Sequence, residues 1–358
     1  LSKWCCHYLD VVFYHVNGTN NNNDLKLLTN IVKTISKKTI KKSSENYLIG
    51  LIQARQPKKS ENTLYFSDSL WFLVTLTKCK DVYKQLNELF PSDLNDMIVI
   101  LESQIEKAIT IISQKQFAKE VVPVTPYIYA NLELIDVLEP IMQLPYLRKK
   151  LHRHIVRSLK FLIKQCVKKG LLVSMSTLEG ISIERNLQFV NICQQYPELK
   201  TKSYQVFQKL TQHIRETGAI PDRIHPLYYG GISRESHSLV PTALVIEQLI
   251  SMCVKSPLDN VIELFSGIPD EWFFENNDPI TIKNCPTRFG SLSVSLKHIE
   301  TRVECDLLHS FSSFPDYLII YLPSKIVSFT MNNHTLNVTG PYIKVPFKWT
   351  KIIFNYEA

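Results

Sequence analysis

Glycine is scarce in this chain, which has 10 glycines in 358 residues; an average usage of about 7% would give roughly 25. Active-site loops use glycine for tight turns and for close approach of the backbone to a ligand. The shortage therefore counts mildly against an efficient catalyst built on elaborate loops.

Long apolar runs are also missing, and no segment approaches the ~20 apolar residues that are needed to cross a bilayer. The N-terminal region has no basic stretch followed by an apolar one, which is the pattern of a signal peptide. We therefore predict no membrane span, and we favour a cytoplasmic protein. The chain begins at Leu1 rather than at Met, so we expect an upstream segment to be missing.

Metal-binding and cofactor-binding patterns are absent from the sequence. The eight cysteines include the adjacent Cys5 and Cys6 but show no C-x-x-C spacing, so neither a zinc cage nor a redox dithiol is indicated. His152 and His154 lie two residues apart on one predicted helix and therefore point to different sides. No P-loop, dinucleotide or G-x-S-x-G motif is present. We predict no metal, no cofactor, and cysteines that are reduced and buried.

The formal net charge is +8, and two lysine- and arginine-rich clusters contribute part of it. One runs from Lys33 to Lys59, and the other lies on a predicted helix at 145–169. Nucleic-acid binding needs such a surface and is favoured by aromatic residues placed for base stacking. Both clusters contain few aromatics, so we interpret them as solvated helix faces and predict no nucleic-acid partner.

Residues 1 to about 255 have the pattern of successive helices. In the segment from Ser92 to Ser113, apolar residues recur at steps of three and four and mark one buried stripe: Leu94, Met97, Ile98, Leu101, Ile105, Ala108, Ile109 and Ile112. A second clear helix runs from Pro145 to Lys169, with Gly170 placed as its C-terminal cap. Further helices are predicted at 2–15, 24–38, 46–56, 67–82, 127–143, 182–195, 199–217 and 238–254. The short connections favour antiparallel hairpins.

The last hundred residues have a different pattern, in which β-branched and aromatic residues alternate between turn residues. Strands are predicted at Ile280–Lys283, Leu292–Ile299, Arg302–Ser310, Tyr317–Leu322, Ile326–Met331, Tyr342–Pro346 and Lys351–Tyr356. Short strands at this density suit a β-sandwich or jelly roll.

The predicted architecture is mostly α, with a helical-hairpin domain at 1–258 and an all-β sandwich at 259–358. Helical hairpins can form an open superhelix or a closed α/α toroid, and periodicity alone does not separate the two. The terminal β domain favours the toroid, because solenoids normally end in a capping repeat rather than in a sandwich.

Three parts of the sequence carry a resemblance to a known family. Residues 67–72 read SDSLWF, residues 230–238 read GGISRESHS, and the tail opens with LFSGIPD at 264–270 and PTRFG at 286–290. With the order of hairpins and β module, they resemble the six-hairpin glycosidases, the (α/α)6 clan that includes glucoamylase-like and debranching-type enzymes. In that clan the first stretch has the pattern D-D-[ST]-L-W-F, and its acidic residues reach into a central cavity.

The chain departs from the family pattern in two places. Ser67 stands where the first acidic residue of the D-D pair would be. About five hairpins are visible, so the six-hairpin toroid is complete only if a first hairpin lies upstream of Leu1.

The resemblance implies glycoside hydrolysis, which needs one protonated and one ionised carboxyl group beside the scissile bond. Most members of the clan invert the anomeric configuration, so we expect a pair about 6.5–9.5 Å apart. Glu235 is the candidate general base, and Arg234 would keep it ionised. Tyr228, Tyr229 and His237 are near it in sequence and are expected to contact the sugar. Alternatively, this cluster is only a capped helix start.

Three further carboxylates are candidates for the site. Glu179 and Glu184 lie between two predicted helices, and either could be the general acid; otherwise both are surface carboxylates. Asp68 lies beside Trp71, and we expect the pair to contact the substrate, with Asp68 binding a sugar hydroxyl. The alternative is an aspartate that only stabilises a helix N-terminus.

These observations favour a glycoside hydrolase whose ligand is an oligosaccharide or polysaccharide. One alternative keeps the fold without the chemistry, as a sugar-binding or scaffolding relative, and scarce glycine and Ser67 favour it. Another alternative is a polysaccharide lyase, which can share a helical toroid with a β-rich tail but uses a Tyr or His base.

Overall fold

A computed structural model of the chain divides into two compact units, Leu1–Val167 and Lys168–Ala358. The residues that it describes are Asn30, Leu51, 54–55, 62–63, 65–85, 88–117, 120–125, 132–173, 180–214, 218–226, Gly231, 239–256, 260–274, 278–323, 325–331, 334–346 and 351–356. The predicted helices at 2–15 and 24–38 lie outside these residues, except for Asn30, which is helical.

The predicted helix at 46–56 is wrong at its C-terminal end. Ala54–Arg55 (β1) is a short strand that pairs antiparallel with Asn62–Thr63 (β2). The backbone of β1 pairs with β2, which lies several residues later in the sequence. Apolar residues at steps of three and four give no sign of such a pairing.

The helices of the first unit follow one another along the chain: α1 Phe66–Gln85, α2 Ser92–Phe117, α3 Leu134–Met142, α4 Pro145–Lys150 and α5 His152–Cys166. The predicted stripe of α2 is buried, and Leu94, Leu101 and Ile105 are at most 2% exposed. The segment after α2 is tied to α5, because the Val122 N–H donates to Ser158 Oγ at 2.9 Å. The helix predicted at 92–113 is therefore confirmed.

The long helix predicted at 145–169 is two helices, which separate at Leu151 with φ of −96° and ψ of 11°. Hydrogen bonding continues across the break, because the Leu151 N–H donates to Leu147 O at 2.8 Å and the Ile155 N–H donates to Leu151 O at 2.9 Å. The apolar stripe stays buried through both helices. A periodic pattern therefore did not reveal the change of backbone conformation.

Gly170 lies in a turn between two short strands and is not a helix cap, so the predicted cap is wrong. Lys169 and Gly170 have φ values of 49° and 85°, and they connect Val167–Lys168 (β3) to Leu171–Leu172 (β4). Two consecutive residues with positive φ are the requirement of a type I′ hairpin turn. The helix consequently ends at Cys166.

The second unit contains a smaller group of helices: α6 Ile183–Cys193, α7 Lys200–Thr211, α8 Leu239–Cys253, the short α9 Asp270–Phe274, and a 3₁₀ turn at Pro197–Leu199. Two short strands, Ile181–Ser182 (β5) and Arg223–Ile224 (β6), precede and follow α6 and α7. Ser203 Oγ on α7 donates to Val190 O on α6 at 2.9 Å, which joins the two helices. The predicted helices at 182–195, 199–217 and 238–254 are confirmed, with α7 shorter than expected.

The remaining strands belong to two sheets: β7 Val254–Lys255, β8 Val261–Leu264, β9 Ile280–Thr287, β10 Gly290–Ile299, β11 Arg302–Phe311, β12 Tyr317–Tyr321, β13 Ile326–Met331, β14 His334–Asn337, β15 Tyr342–Val345 and β16 Lys351–Tyr356. The six-stranded sheet has the order β14-β13-β16-β11-β10-β9 and is antiparallel. The four-stranded sheet has the order β15-β12-β8-β7, with β8 and β12 parallel. On β10, Leu292, Val294 and Leu296 are buried at alternate positions, as a strand with one core-facing side requires.

The change from helices to strands occurs close to the predicted position. β7 follows directly after α8 and pairs with β8 through Val254↔Leu264 and Lys255↔Glu263. The coarse architecture, helices followed by a β-rich C-terminal region, is therefore confirmed. The compact units divide at Val167 and Lys168, within the helical part; a domain boundary at 258/259 stays a prediction, as does closure of the helices into a ring.

In the described part of the chain, no helix combines the length and the apolar character that a membrane span requires. Six cysteines within that part are buried and form no disulfide, which confirms the prediction for Cys79, Cys166, Cys193, Cys253, Cys285 and Cys305. Cys5 and Cys6 lie outside the described residues.

Candidate functional site

Two residues of the second unit, one near Glu179 in sequence and one near Glu235, pair with the same residue of a short strand. Ile181, two residues after Glu179, pairs with Ile224 on β6. Gly231, four residues before Glu235, forms an antiparallel bridge with the same Ile224. The fold therefore brings the backbone beside both segments to a single residue.

The local sequence explains why this meeting point is well defined. Gly180 has φ of 72°, which glycine adopts without the steric cost that other residues incur, and the chain then enters β5. Ile181 and Ile224 are 2% and 0% exposed, so the core anchors the pairing. The Ile183 N–H donates to Asp222 O at 3.1 Å, which extends the pairing to the start of α6.

Several of the predicted site residues lie outside the described residues, and their roles stay predictions: Glu179, Tyr228, Tyr229, Arg234, Glu235 and His237.

Glu184 lies in the first turn of α6 and is exposed. Gln188 Nε2, one turn further along the helix, donates to Glu184 Oε1 at 3.5 Å. The cap of this helix is Ser182, whose side chain accepts from the Arg185 N–H at 3.3 Å. Glu184 thus has the surroundings of a carboxylate on a helix surface.

Asp68 lies in the first turn of α1 in the first unit and is half-buried. Burial raises the pKa of its carboxyl above the ordinary value, because removal from water disfavours the charged form. The start of α1 is held in place, since the Phe66 N–H donates to Val124 O at 3.3 Å. The Asp68 carboxyl therefore keeps its proton to higher pH than a solvated aspartate does.

Trp71 is one turn further along α1, and only 5% of it is exposed. Its backbone carbonyl accepts a hydrogen bond from Thr75 Oγ1 at 2.8 Å. Trp71 therefore packs in the core of the first unit. Its contact with a sugar stays a prediction.

The second unit also contains a pocket of about 440 Å³ that the sequence analysis did not find. Its polar lining includes Gln194, Lys200, Ser266 and Asp270, and Tyr321 contributes an aromatic ring. These residues come from separate helices, loops and strands. The only sequence signal near them was the stretch at 264–270, which the resemblance assigned to the start of the β domain.

Two of the basic residues on α5 share one counter-ion. Arg153 Nε lies 2.9 Å from Glu120 Oε2, and Arg157 also pairs with this carboxylate. Within the described residues, no group of three or more His, Cys, Asp or Glu side chains is arranged to hold a metal ion. The absence of a nucleic-acid partner stays a prediction.

No protein-family model matches the chain, and no curated protein sequence matches it. Solved structures do match. An α-L-rhamnosidase from Dictyoglumus thermophilum superposes on 94% of the chain with a TM-score of 0.55 and 11% identity, and the match covers 37% of that enzyme. An α-L-rhamnosidase from Streptomyces avermitilis, solved with L-rhamnose, superposes on 94% of the chain with a TM-score of 0.52 and 9% identity, over 30% of its length.

These similarities define the fold as glycosidase-like, which confirms the coarser part of the resemblance seen in the sequence. The chain spans about a third of the length of the two rhamnosidases. Sequence identity at this level establishes the fold alone, because one fold hosts many activities. Function must therefore be argued from the residues of this chain.

Proposed function

We propose that the chain contributes the catalytic region of a carbohydrate-active hydrolase, which cleaves a glycosidic bond with two carboxyl groups. The observation that carries the proposal is the meeting of the backbones beside Glu179 and Glu235 at Ile224. The proposal includes a ring of six helical hairpins whose centre gathers acidic side chains from distant parts of the sequence.

The proposed carboxylate pair is of the inverting kind, which needs a separation of about 6.5–9.5 Å. Ile181 and Gly231 lie on either side of Ile224, so they are roughly 10 Å apart, because neighbouring strands are about 4.8 Å apart. Glu179 precedes Ile181 by two residues and Glu235 follows Gly231 by four, and both outer segments are antiparallel to β6 and so parallel to each other. The proposal therefore requires the chain to turn back after Gly231, so that the two carboxyl groups come within about 6.5–9.5 Å of each other.

In the proposed reaction, Glu235 accepts a proton from a water molecule, which attacks the anomeric carbon from the face opposite the leaving group. Arg234 keeps the Glu235 carboxylate ionised. Glu179 donates its proton to the glycosidic oxygen as that bond breaks, so the leaving sugar departs as a neutral alcohol. His237 is proposed to position the substrate by a hydrogen bond.

Glu179 is favoured over Glu184 as the acid. Glu184 is exposed at the start of α6, where solvent competes with the substrate for the carboxyl group. The choice of Glu179 therefore depends on the exposure of Glu184.

The remaining predicted residues are proposed to bind the sugar. Tyr228 and Tyr229 present aromatic faces to the apolar side of a sugar ring. Asp68 is proposed to bind a sugar hydroxyl through its half-buried carboxyl group. The substrate class proposed for a first assay is an α-L-rhamnoside, the sugar named for the structural neighbours.

The first prediction is tested with the full chain on α-L-rhamnosyl oligosaccharides and on 4-nitrophenyl α-L-rhamnoside. Glu235→Gln should lower kcat by about 10²- to 10⁴-fold on both substrates, which is the contribution of a general base. Glu179→Gln should lower kcat similarly on oligosaccharides but much less on the nitrophenyl substrate, because its leaving group needs little protonation.

Glu184→Gln is the control and should leave kcat within a few-fold of the unmodified protein. Asp68→Asn should raise KM, because Asp68 is proposed to bind a sugar hydroxyl. The matched control is Asp93→Asn, since Asp93 is in the first turn of α2 but is exposed, and it should leave KM unchanged. Full activity of Glu235→Gln would refute the assignment of the base and would reopen the lyase alternative.

A second candidate function is a sugar-binding relative without catalysis. Ser67 in place of an acidic residue and the burial of Trp71 favour it. Binding of a rhamnosyl oligosaccharide by the unmodified protein, with no release of reducing sugar after long incubation, would establish this function instead of hydrolysis.

A further inference from the structure

One face of α5 carries a row of cations. The residues from 140 to 178 include nine Lys and Arg but no Asp or Glu. Within α5, Arg153, Arg157, Lys160 and Lys164 follow one another at steps of four, three and four residues. Because each residue of an α-helix turns by about 100°, these steps keep the four side chains within an arc of roughly 60°. These four residues are called the basic stripe below.

The basic stripe lies on the side of α5 that faces away from the core. Ile155 and Leu162 are fully buried, and the helical period places them on the side opposite the stripe. Lys160 and Lys164 are exposed, as is 69% of the Arg153 side chain. The stripe is therefore open to a large partner.

One carboxylate of the described residues balances part of the stripe. Glu120 Oε2 lies 2.9 Å from Arg153 Nε and also pairs with Arg157. Lys160 and Lys164 form no ion pair in the part of the chain that the structure describes. Most of the positive charge of the stripe is thus left without a counter-ion.

This arrangement of charges does not stabilise the helix itself. Like charges four residues apart, as in Arg153 and Arg157 or in Lys160 and Lys164, destabilise a helix. Arg153 is in the first turn, where the macrodipole favours acidic residues, and that turn has none. A helix face that is only solvated normally alternates charges of opposite sign. A bound polyanion would supply the missing negative charge, so the stripe indicates an anionic ligand.

The stripe has the length of a chain-like ligand. Arg153 and Lys164 are eleven residues apart in α5, which corresponds to about 16 Å along the helix axis. A small anion contacts only one or two of these cations. A linear polyanion, with one charged group after another, can pair with all of them.

An acidic polysaccharide suits the stripe better than a membrane surface does. Peripheral helices insert an apolar face into the membrane. The apolar face of α5 is buried in the core of the first unit, and the stripe offers only charged side chains.

Nucleic acids also suit the stripe less well. Single strands stack their bases on aromatic side chains, and Phe161, the one Phe, Tyr or Trp on α5, is half-buried. A duplex presents phosphates on two strands, whereas the cations form one row. An acidic polysaccharide carries its charges on a single chain and needs no stacking platform.

We infer that the basic stripe binds a linear acidic polysaccharide, whose carboxylate or sulfate groups pair with Lys160, Lys164 and the two arginines. The polysaccharide chain runs along the axis of α5. The surface belongs to the first unit, and the inference does not depend on Glu179 and Glu235, the carboxylates proposed for hydrolysis.

The test is binding of the full chain to polygalacturonate and to heparin, measured by calorimetry at several salt concentrations. We expect at least one of the two to bind. Its affinity should fall as the salt concentration rises, because cations that pair with a polyanion release its counter-ions. Dextran, the uncharged comparison, should not compete with either polysaccharide.

The variant that combines Lys160→Gln with Lys164→Gln removes two exposed cations of the stripe and should leave folding intact. It should weaken binding by about threefold to thirtyfold, the value of two exposed ion pairs. The slope of log K against log salt concentration should become shallower by about one to two.

The matched control combines Lys84→Gln with Lys107→Gln. Both lysines are exposed and belong to the first unit, on α1 and α2. The control changes the net charge by the same amount but leaves the stripe intact, so affinity and slope should stay close to those of the unmodified protein.

Three outcomes would overturn the inference. They are no binding of polygalacturonate or heparin at low salt, equal losses of affinity in the two double variants, or stripe-dependent binding of duplex DNA or phosphatidylserine vesicles that is tighter than binding of either polysaccharide. The readout is binding alone, so the result is independent of whether the protein hydrolyses a glycoside.

Discussion

Asn186 shows how one buried side chain can replace a strand partner. Its Oδ1 accepts from the Leu172 N–H at 2.7 Å, and its Nδ2 donates to Leu172 O at 3.0 Å and to Ser182 O at 2.8 Å. Asn186 is fully buried. The amide therefore satisfies both backbone groups of Leu172 and joins β4 to the start of α6.

Asn186→Leu should destabilise the protein by about 2–4 kcal/mol, because both polar groups of Leu172 would be left buried without partners. Denaturation by urea, followed by circular dichroism, measures the effect. Asn191→Leu is the control, since Asn191 is a half-buried position on the same helix, and it should change the free energy of unfolding by less than about 0.5 kcal/mol. Equal stability of the two variants would contradict this account of Asn186.

At the scale of elements, the hairpin between β9 and β10 is specified by its turn residues. Thr287 Oγ1 donates to Gly290 O at 2.7 Å and accepts from the Phe289 N–H at 3.2 Å. Gly290 has φ of 130°, and a Cβ there would lie 2.3 Å from Ser310 O on β11. The stretch at 286–290, recognised in the sequence, is thus the turn that sets the register of three neighbouring strands.

Gly290→Ala should destabilise the protein by about 3 kcal/mol or more, because both the backbone conformation and the contact with β11 exclude a side chain. Gly218→Ala is the matched control: Gly218 also has positive φ, 77°, but a Cβ there meets no described atom within 4 Å. Gly218→Ala should lower the free energy of unfolding by about 1–2 kcal/mol, because only the positive φ disfavours a side chain there. Equal decreases in Tm for the two variants would show that the close approach of Gly290 to β11 contributes nothing to the loss of stability.

The strands that the sequence did not reveal have a physical explanation. His334–Asn337, the edge strand β14, is exposed at every position, so it has no apolar alternation. Val261–Leu264, β8, lies inside the four-stranded sheet with three of its four residues buried, and a short continuous apolar run does not distinguish a strand from a helix. Strands that alternate buried and less buried residues, such as β10 and β12, were predicted from their periodicity.

At the scale of the whole molecule, buried thiols report on the stability of each compact unit. Cys79 and Cys166 are in the first unit; Cys193, Cys253, Cys285 and Cys305 are in the second. Burial raises the pKa of Cys253 to about 12 and also raises the pKa values of Cys193 and Cys305. At neutral pH these thiols are protonated as well as inaccessible, and the thiolate is the reactive form.

Iodoacetamide should therefore modify these six cysteines far more slowly in the native protein than in the unfolded chain, as measured by peptide mass spectrometry. With increasing urea, the cysteines of one unit should become reactive over the same concentration range, because a compact unit with one core unfolds cooperatively. Rapid modification of any of the six without denaturant would contradict their burial.

The candidate site was only partly accessible to sequence reasoning. The polar cluster around Glu235 and the carboxylate Glu179 were identified by residue type, but their relation depends on Ile224, which pairs with Ile181 and bridges to Gly231. The first of these pairings joins residues that are far apart in sequence, at positions 181 and 224, and it leaves no periodic trace. The pocket at Gln194 and Ser266 is assembled from several segments for the same reason.

The sequence alone determined the positions of those helices and strands whose apolar residues recur at helical or alternating spacing, because such residues must face a core. It also determined that helices precede the sheets. Tertiary structure decided which segments meet: the pairing at Ile224, the close approach of Gly267 to Gln194, and the parallel pairing of β8 with β12. These contacts depend on distances between residues far apart along the chain, and local propensity contains no information about them.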